Sequence, residues 1–92
     1  CGFDFKLSRK NHDFFSAVEV KGMRNRTGSI QMTELEFTMA ETLKDQYYLV
    51  VVRNFADKPF HSVFQNPLCC DLSFARCERK ETMLFWQTTL TA

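Results

Sequence analysis

The chain has 92 residues, 45% of them hydrophobic, with ten phenylalanines and a net charge of +1. That length fits one small domain, and that apolar content excludes a disordered chain. No apolar run approaches the roughly twenty residues of a membrane span, so we expect no membrane contact. The chain opens at Cys1 without a signal-peptide pattern, which favours a single domain over 1–92 taken from a longer protein.

The first predicted element is a strand over residues 2–7, where apolar and polar side chains alternate. We expect Phe3, Phe5 and Leu7 to face the core. The polar stretch 8–13 contains turn-forming residues and predicts a hairpin connection to the next strand.

The second predicted strand, residues 14–21, is the most informative stretch of the chain. It is apolar and β-branched, and it ends in Glu19, a spacer and Lys21. Side chains alternate along a strand, so the carboxylate and the ammonium point to the same face. If this strand returns antiparallel to the first, Asp4 lies beside Glu19.

A short third strand is predicted over 29–32, followed by a helix from about 34 to 44. Thr33 and Glu36 form the three-residue spacing of a capping box at the start of that helix. The β-prone run 47–52 follows directly and predicts a buried strand parallel to its neighbour.

The last third of the chain carries weaker signals. Residues 54–67 contain two prolines and are expected to be irregular. Segments 72–77 and 83–87 predict two late strands joined by a polar turn, a C-terminal β-hairpin. This organisation suggests a core over residues 2–55 with a C-terminal extension over 56–92.

The cysteines at positions 1, 69, 70 and 77 form no C-x-x-C pair. A zinc site that combines the last three with His61 matches no common structural module. We therefore expect buried, reduced thiols, which indicate a cytoplasmic compartment, or a nuclear one in a eukaryote.

Positive charge gathers near the predicted Glu19 strand, because residues 1–26 carry a net charge of +3 and residues 27–92 a net charge of −2. This charge asymmetry would favour binding of a polyanionic substrate. Four side chains flank the strand and are candidates for phosphate contacts: Arg9, Lys10, Arg24 and Arg26.

The residues around Glu19 suit a divalent cation and a phosphate ester. Carboxylates from Asp4 and Glu19, with the carbonyl of Val20 between the site-facing side chains, are the hard oxygen ligands that Mg²⁺ or Mn²⁺ prefers. Lys21 could orient water or stabilise the charge of the transition state. A surface ion pair between Glu19 and Lys21 is the alternative interpretation.

The order of these motifs resembles a known family. Asp4, then Glu19-Val20-Lys21, in strand–strand–strand–helix–strand order, is similar to the PD-(D/E)XK nuclease superfamily. More narrowly, the stretches 2–4, 18–22, 33–40 and 47–52 resemble the domain at the C-terminus of NO VEIN-type proteins. The resemblance implies an α/β (α+β) fold with a restriction-endonuclease-like mixed β-sheet.

The resemblance also implies an activity and partners. It places Asp4, Glu19 and Lys21 as catalytic residues and Glu36 as an auxiliary acid in a Mg²⁺-dependent (or Mn²⁺-dependent) endonuclease acting on DNA. Such domains accompany helicases or ATPases in the same chain, or belong to restriction and defence systems, and a homodimer would suit cutting of two strands. The alternative is an inactive nuclease-like module that binds nucleic acid or protein.

Overall fold

A computed structural model describes residues 2–8, 15–70, 72–79 and 83–91. Within these residues the chain forms one α-helix and seven strands in two sheets, an α+β architecture. The elements are β1 (Phe5–Ser8), β2 (Phe15–Gly22), β3 (Gly28–Thr33), α1 (Glu34–Leu43), β4 (Tyr47–Arg53), β5 (Phe60–Gln65), β6 (Ala75–Arg79) and β7 (Met83–Leu90). None of the helices in the described part of the chain could span a lipid bilayer.

The main sheet has the strand order β1-β2-β4-β5. β1 and β5 lie antiparallel to their neighbours, whereas β2 and β4 run parallel. The parallel pairing was expected from the helix between the two strands, and the structure confirms it. The crossover through α1 also covers one face of the sheet, which we call the inner face.

The second sheet has the strand order β3-β7-β6 and is antiparallel throughout. β3 pairs with β7 along its whole length, from Gly28 opposite Leu90 to Thr33 opposite Phe85. The predicted C-terminal hairpin of β6 and β7 is confirmed. The order strand, strand, strand, helix, strand is also present, but β3 leaves the sheet that holds β1, β2 and β4.

The core consists of two clusters of buried side chains on the inner face of the main sheet. One cluster joins the two sheets through β4, β3 and β7 and consists of Met23, Ile30, Leu49, Val51 and Leu90. The other lies under α1 and consists of Ala17, Met32, Ala40 and Tyr47. Both clusters depend on β3, because Ile30 and Met32 enter different ones.

One prediction about the outer face of the main sheet, the face opposite α1, was wrong. Phe5 and Leu7 are 58% and 59% exposed, so they do not face the core. The reason lies in β2, whose buried side chains are Ala17 and Glu19. Phe5 pairs with Val18 and therefore shares the outer face.

The stretch 54–67 was predicted to be irregular, and this was wrong because it contains β5. Pro59 directly precedes that strand and Pro67 follows it, so the prolines bound the strand without interrupting it. The helix ends at Leu43, one residue earlier than predicted, and continues as a 3₁₀ turn over Lys44–Gln46.

The cysteine prediction was also wrong in part. Cys69 and Cys70 are free thiols but lie exposed, and Cys77 is half-buried. Cys69 ends the 3₁₀ turn Pro67–Cys69 at the surface, with Cys70 as its C-cap, outside both core clusters. Cys1 and residues 9–14, 71, 80–82 and 92 lie outside the described residues.

Candidate active site

The candidate site is built on β2, which turns Ala17, Glu19 and Lys21 towards the inner face of the main sheet. Glu19 is only 4% exposed. The Lys21 ammonium lies 3.6 Å from Glu19 Oε2 and 2.8 Å from Glu36 Oε1. Lys21 therefore bridges an acid of its own strand and an acid at the start of α1.

Glu36 is held in place by the capping box that the sequence predicted. The Glu36 N–H donates to Thr33 Oγ1 at 3.2 Å, and the Thr33 N–H donates to Glu36 Oε1 at 2.9 Å. The same carboxylate oxygen accepts the hydrogen bond from Lys21. The cap thus has a second role, since it fixes the position of the Lys21 ammonium.

Asp4 reaches the site from the residue before β1. Continuing the pairing of Phe5 with Val18 by one residue places Asp4 opposite Glu19. The Asp4 N–H donates to the Val18 carbonyl at 3.0 Å, and the Val20 N–H donates to Asp4 Oδ2 at 2.8 Å. The N–H and the C=O of a strand residue point to the same edge, so the Val20 carbonyl faces the side of Asp4.

Tyr47 adds a buried hydroxyl that the sequence reasoning missed. Its OH donates to the Gly2 carbonyl at 2.8 Å and so ties the start of the chain to β4. A Cβ on Gly2 would lie 2.5 Å from the Leu35 carbonyl oxygen, so the close approach requires glycine. The apolar run over residues 47–52 predicted a buried strand that includes Tyr47, but no sequence signal linked its hydroxyl to this site.

The electrostatics of the site centre on Glu19. Burial, followed by the charge of Glu36, raises the pKa of Glu19 to about 7, and the Lys21 charge opposes this rise. Burial alone would raise the pKa of Glu36, but hydrogen bonds from Lys21 and the Thr33 N–H outweigh it and lower that pKa. Burial and the nearby carboxylates, Glu19 foremost, also raise the pKa of Tyr47. The fold therefore gathers more negative charge than Lys21 compensates.

The donors present suit a hard divalent cation. In the described part of the chain, no three acidic, histidine or cysteine side chains form a metal site by themselves. A cation would instead use the carboxylates of Asp4 and Glu19, the Val20 carbonyl and water, a donor set typical of Mg²⁺. Its charge would also favour the ionised form of Glu19, whose raised pKa marks an under-compensated carboxylate.

The basic residues predicted to contact substrate fall into two groups. Arg24 and Arg26 are exposed on the loop that follows β2. Arg24 lines a cleft of about 270 Å³ that begins at Gly22, next to Lys21, whereas the Arg26 guanidinium lies 5.3 Å from the Phe60 ring centre. Arg9 and Lys10 lie outside the described residues.

Comparison with known protein families gives a match over most of the chain. The family model described as "Protein NO VEIN, C-terminal" matches residues 1–65, which span β1 to β5 and include Asp4, Glu19, Lys21 and Glu36. No curated protein and no solved structure matches the chain. The chain therefore belongs to the NO VEIN C-terminal family.

Proposed function

We propose that this domain is a metal-dependent endonuclease that hydrolyses phosphodiester bonds of DNA. The observation that supports it most is the buried Glu19 carboxylate, which lies opposite Asp4 in the sheet and 3.6 Å from the Lys21 ammonium that also contacts Glu36. A buried acid with a raised pKa is costly to maintain unless a ligand or a reaction uses it. The superfamily resemblance of the Asp4…Glu19-x-Lys21 order supports the same conclusion.

A bound Mg²⁺ or Mn²⁺ would polarise the scissile phosphate and lower the pKa of a coordinated water. The protein itself supplies the remaining chemistry. Lys21, held by Glu36, presents a fixed positive charge where negative charge develops on the phosphate oxygens. Asp4 is oriented by the Val20 N–H before any ligand arrives, so little reorganisation is needed.

A nucleic acid is the proposed substrate because its backbone supplies an array of phosphates, and the superfamily resemblance favours DNA. The cleft that begins at Gly22 is lined by the loop after β2, which carries Arg24 and the polar residues Asn25 and Thr27. These groups could contact phosphates that flank the cut and so position the strand. Binding should weaken with salt, as it does for all contacts to phosphates.

The test is cleavage of supercoiled plasmid and short DNA duplexes with Mg²⁺, Mn²⁺ or EDTA. Cutting should require the metal and should fall at least 100-fold in Asp4→Asn, Glu19→Gln and Lys21→Ala. Glu41→Gln is the matched control, because Glu41 is an exposed acid on the same helix as Glu36. Cutting that survives all three site variants would show that another group, or a contaminant, is responsible.

A second function, binding without cleavage, is favoured by one observation. The shortest contact of Lys21 is with Glu36 at 2.8 Å, a closed ion pair that could be purely structural. This alternative predicts that the wild type and Lys21→Ala bind DNA with similar affinity and that neither cuts it. Fluorescence anisotropy with labelled duplex in Ca²⁺ measures binding independently of cleavage.

A further inference from the structure

Arg53, the last residue of β4, is a buried cation with only neutral partners among the described residues. It is 7% exposed. Its guanidinium donates to the main-chain oxygens of Arg26 and Thr91 and to the Ser62 hydroxyl. Both ion pairs found in the described part of the chain belong to Lys21. Burying a guanidinium without an anion is costly, so the surroundings of Arg53 suit an anionic ligand.

The hydrogen bonds leave one nitrogen of the guanidinium under-used. Nε donates to the Arg26 carbonyl, and Nη2 donates to the carbonyls of Arg26 and Thr91. Nη1 carries two hydrogens, but its contact with Ser62 Oγ is long, at 3.4 Å. Nη1 therefore retains the capacity to donate to a stronger acceptor.

A cavity of about 270 Å³ lies against this arginine. It is formed where the ends of β4 and β7 meet β5, and its wall combines hydroxyl groups with an apolar side. The lining residues that matter here are Arg53, Ser62, Thr89 and Thr91 on the polar side and Phe64 and Leu90 on the apolar side. A cation, several hydroxyls and an apolar wall together are typical of a small-ligand site.

We propose that this cavity binds a phosphate group, held by the Arg53 guanidinium and the hydroxyl of Ser62. Phosphate has more acceptor oxygens than a carboxylate, and hydrogen bonds from a guanidinium to phosphate are charge-assisted. The apolar wall suits the sugar of a nucleotide or of a phosphodiester chain. None of the candidate active-site residues lines this cavity, and the proposed binding requires no metal and does not depend on the proposed nuclease activity.

Arg53 also connects the loop at Arg26 and the residue after β7 to the main sheet, so removing it would destabilise the fold in any case. The useful variant therefore keeps Arg53 and supplies an internal anion. Ser62→Asp places a carboxylate beside Nη1 and should occupy the site.

The experiment is thermal unfolding in EDTA, with 20 mM sodium phosphate compared with sodium chloride of the same ionic strength. For a dissociation constant near 10 mM, phosphate should raise the Tm of the wild type by about 3–5 °C. Phosphate also stabilises proteins through exclusion from their surface, so the decisive quantity is the difference from Ser62→Asp. That variant should lose the phosphate-specific shift and unfold no earlier than the wild type in chloride.

Adenosine monophosphate and a short single-stranded DNA, each at the same phosphate concentration, distinguish the two sources of the group. A larger shift with the monophosphate identifies a free phosphate ester as the ligand, and a larger shift with DNA identifies the backbone. An equal response to phosphate in the wild type and Ser62→Asp would overturn the proposal. So would a response seen only in Asp71→Asn, because Asp71, outside the described residues, would then be the anion that Arg53 already binds.

Discussion

Replacing Glu19 with glutamine should stabilise the metal-free protein above neutral pH, because it removes a charge that the fold buries. The pKa of Glu19 rises from 4.5 to about 7, so the folded protein binds more protons than the unfolded chain between these pH values. The free energy of unfolding of the wild type therefore falls as pH rises through this window. The loss reaches about 3 kcal/mol above pH 7.

The measurement is urea denaturation in EDTA at pH 5 and pH 8, followed by the fluorescence of the single tryptophan. Glu19→Gln should be more stable than the wild type by about 1 kcal/mol at pH 5 and by about 3 kcal/mol at pH 8. The lowered pKa of Glu36 changes the free energy of unfolding mainly below pH 4.5, the ordinary pKa of that carboxyl. It therefore contributes little to the difference between pH 5 and pH 8. In the cleavage assay, the same variant should be inactive.

Glu41→Gln is again the control, because it neutralises an exposed acid of the same domain. Its stability relative to the wild type should change by less than about 0.5 kcal/mol between pH 5 and pH 8. A Glu19→Gln protein that is equally or less stable than the wild type at pH 8 would refute the reasoning. It would mean that Lys21 fully compensates the buried carboxylate.

Three further substitutions test the supports of the site and the outer face by urea denaturation. Thr33→Ala should cost about 1 kcal/mol through loss of the cap, and an unchanged midpoint would show that Glu36 does not depend on it. Tyr47→Phe should cost about 1–3 kcal/mol because it leaves the buried Gly2 carbonyl without its donor; a neutral result would mean that water replaces the hydroxyl. Val63→Lys should stay within about 0.5 kcal/mol, since Val63 is 55% exposed, and a large loss would reveal a packed outer face.

The parts of the fold that the sequence predicted depend on short-range signals. The Thr33–Glu36 capping box fixed the start of α1, and the β-branched run before Glu19 identified β2. The parallel relation of β2 and β4 followed from the helix between them. Asp4 could be placed near Glu19 because a hairpin brings neighbouring strands together, and the structure has this arrangement.

The parts that it missed depend on distant contacts or on which face is covered. Alternation in residues 2–7 showed that one side of β1 is apolar, but whether Phe5 and Leu7 are buried depends on where α1 and the second sheet pack. The contact between Lys21 and Glu36 joins β2 and α1. The sequence patterns that predict this strand and this helix do not indicate the distance between them. Arg53 resembled an ordinary strand-end cation, and only the structure shows its burial.

The pairing of β3 with β7 also determines when the domain can be complete. β3 is paired along its whole length with residues 85–90, beyond the end of the family match at residue 65. A chain cut after residue 65 would leave the backbone of β3 without that partner, and Ile30 would lose its packing against Leu90. During synthesis, β3 cannot pair until β7 has left the ribosome. β3 is the strand that joins the loop after Lys21 to the helix of Glu36. Strand pairing between residues that are far apart in the sequence forms slowly. We therefore expect the candidate site to form late in folding.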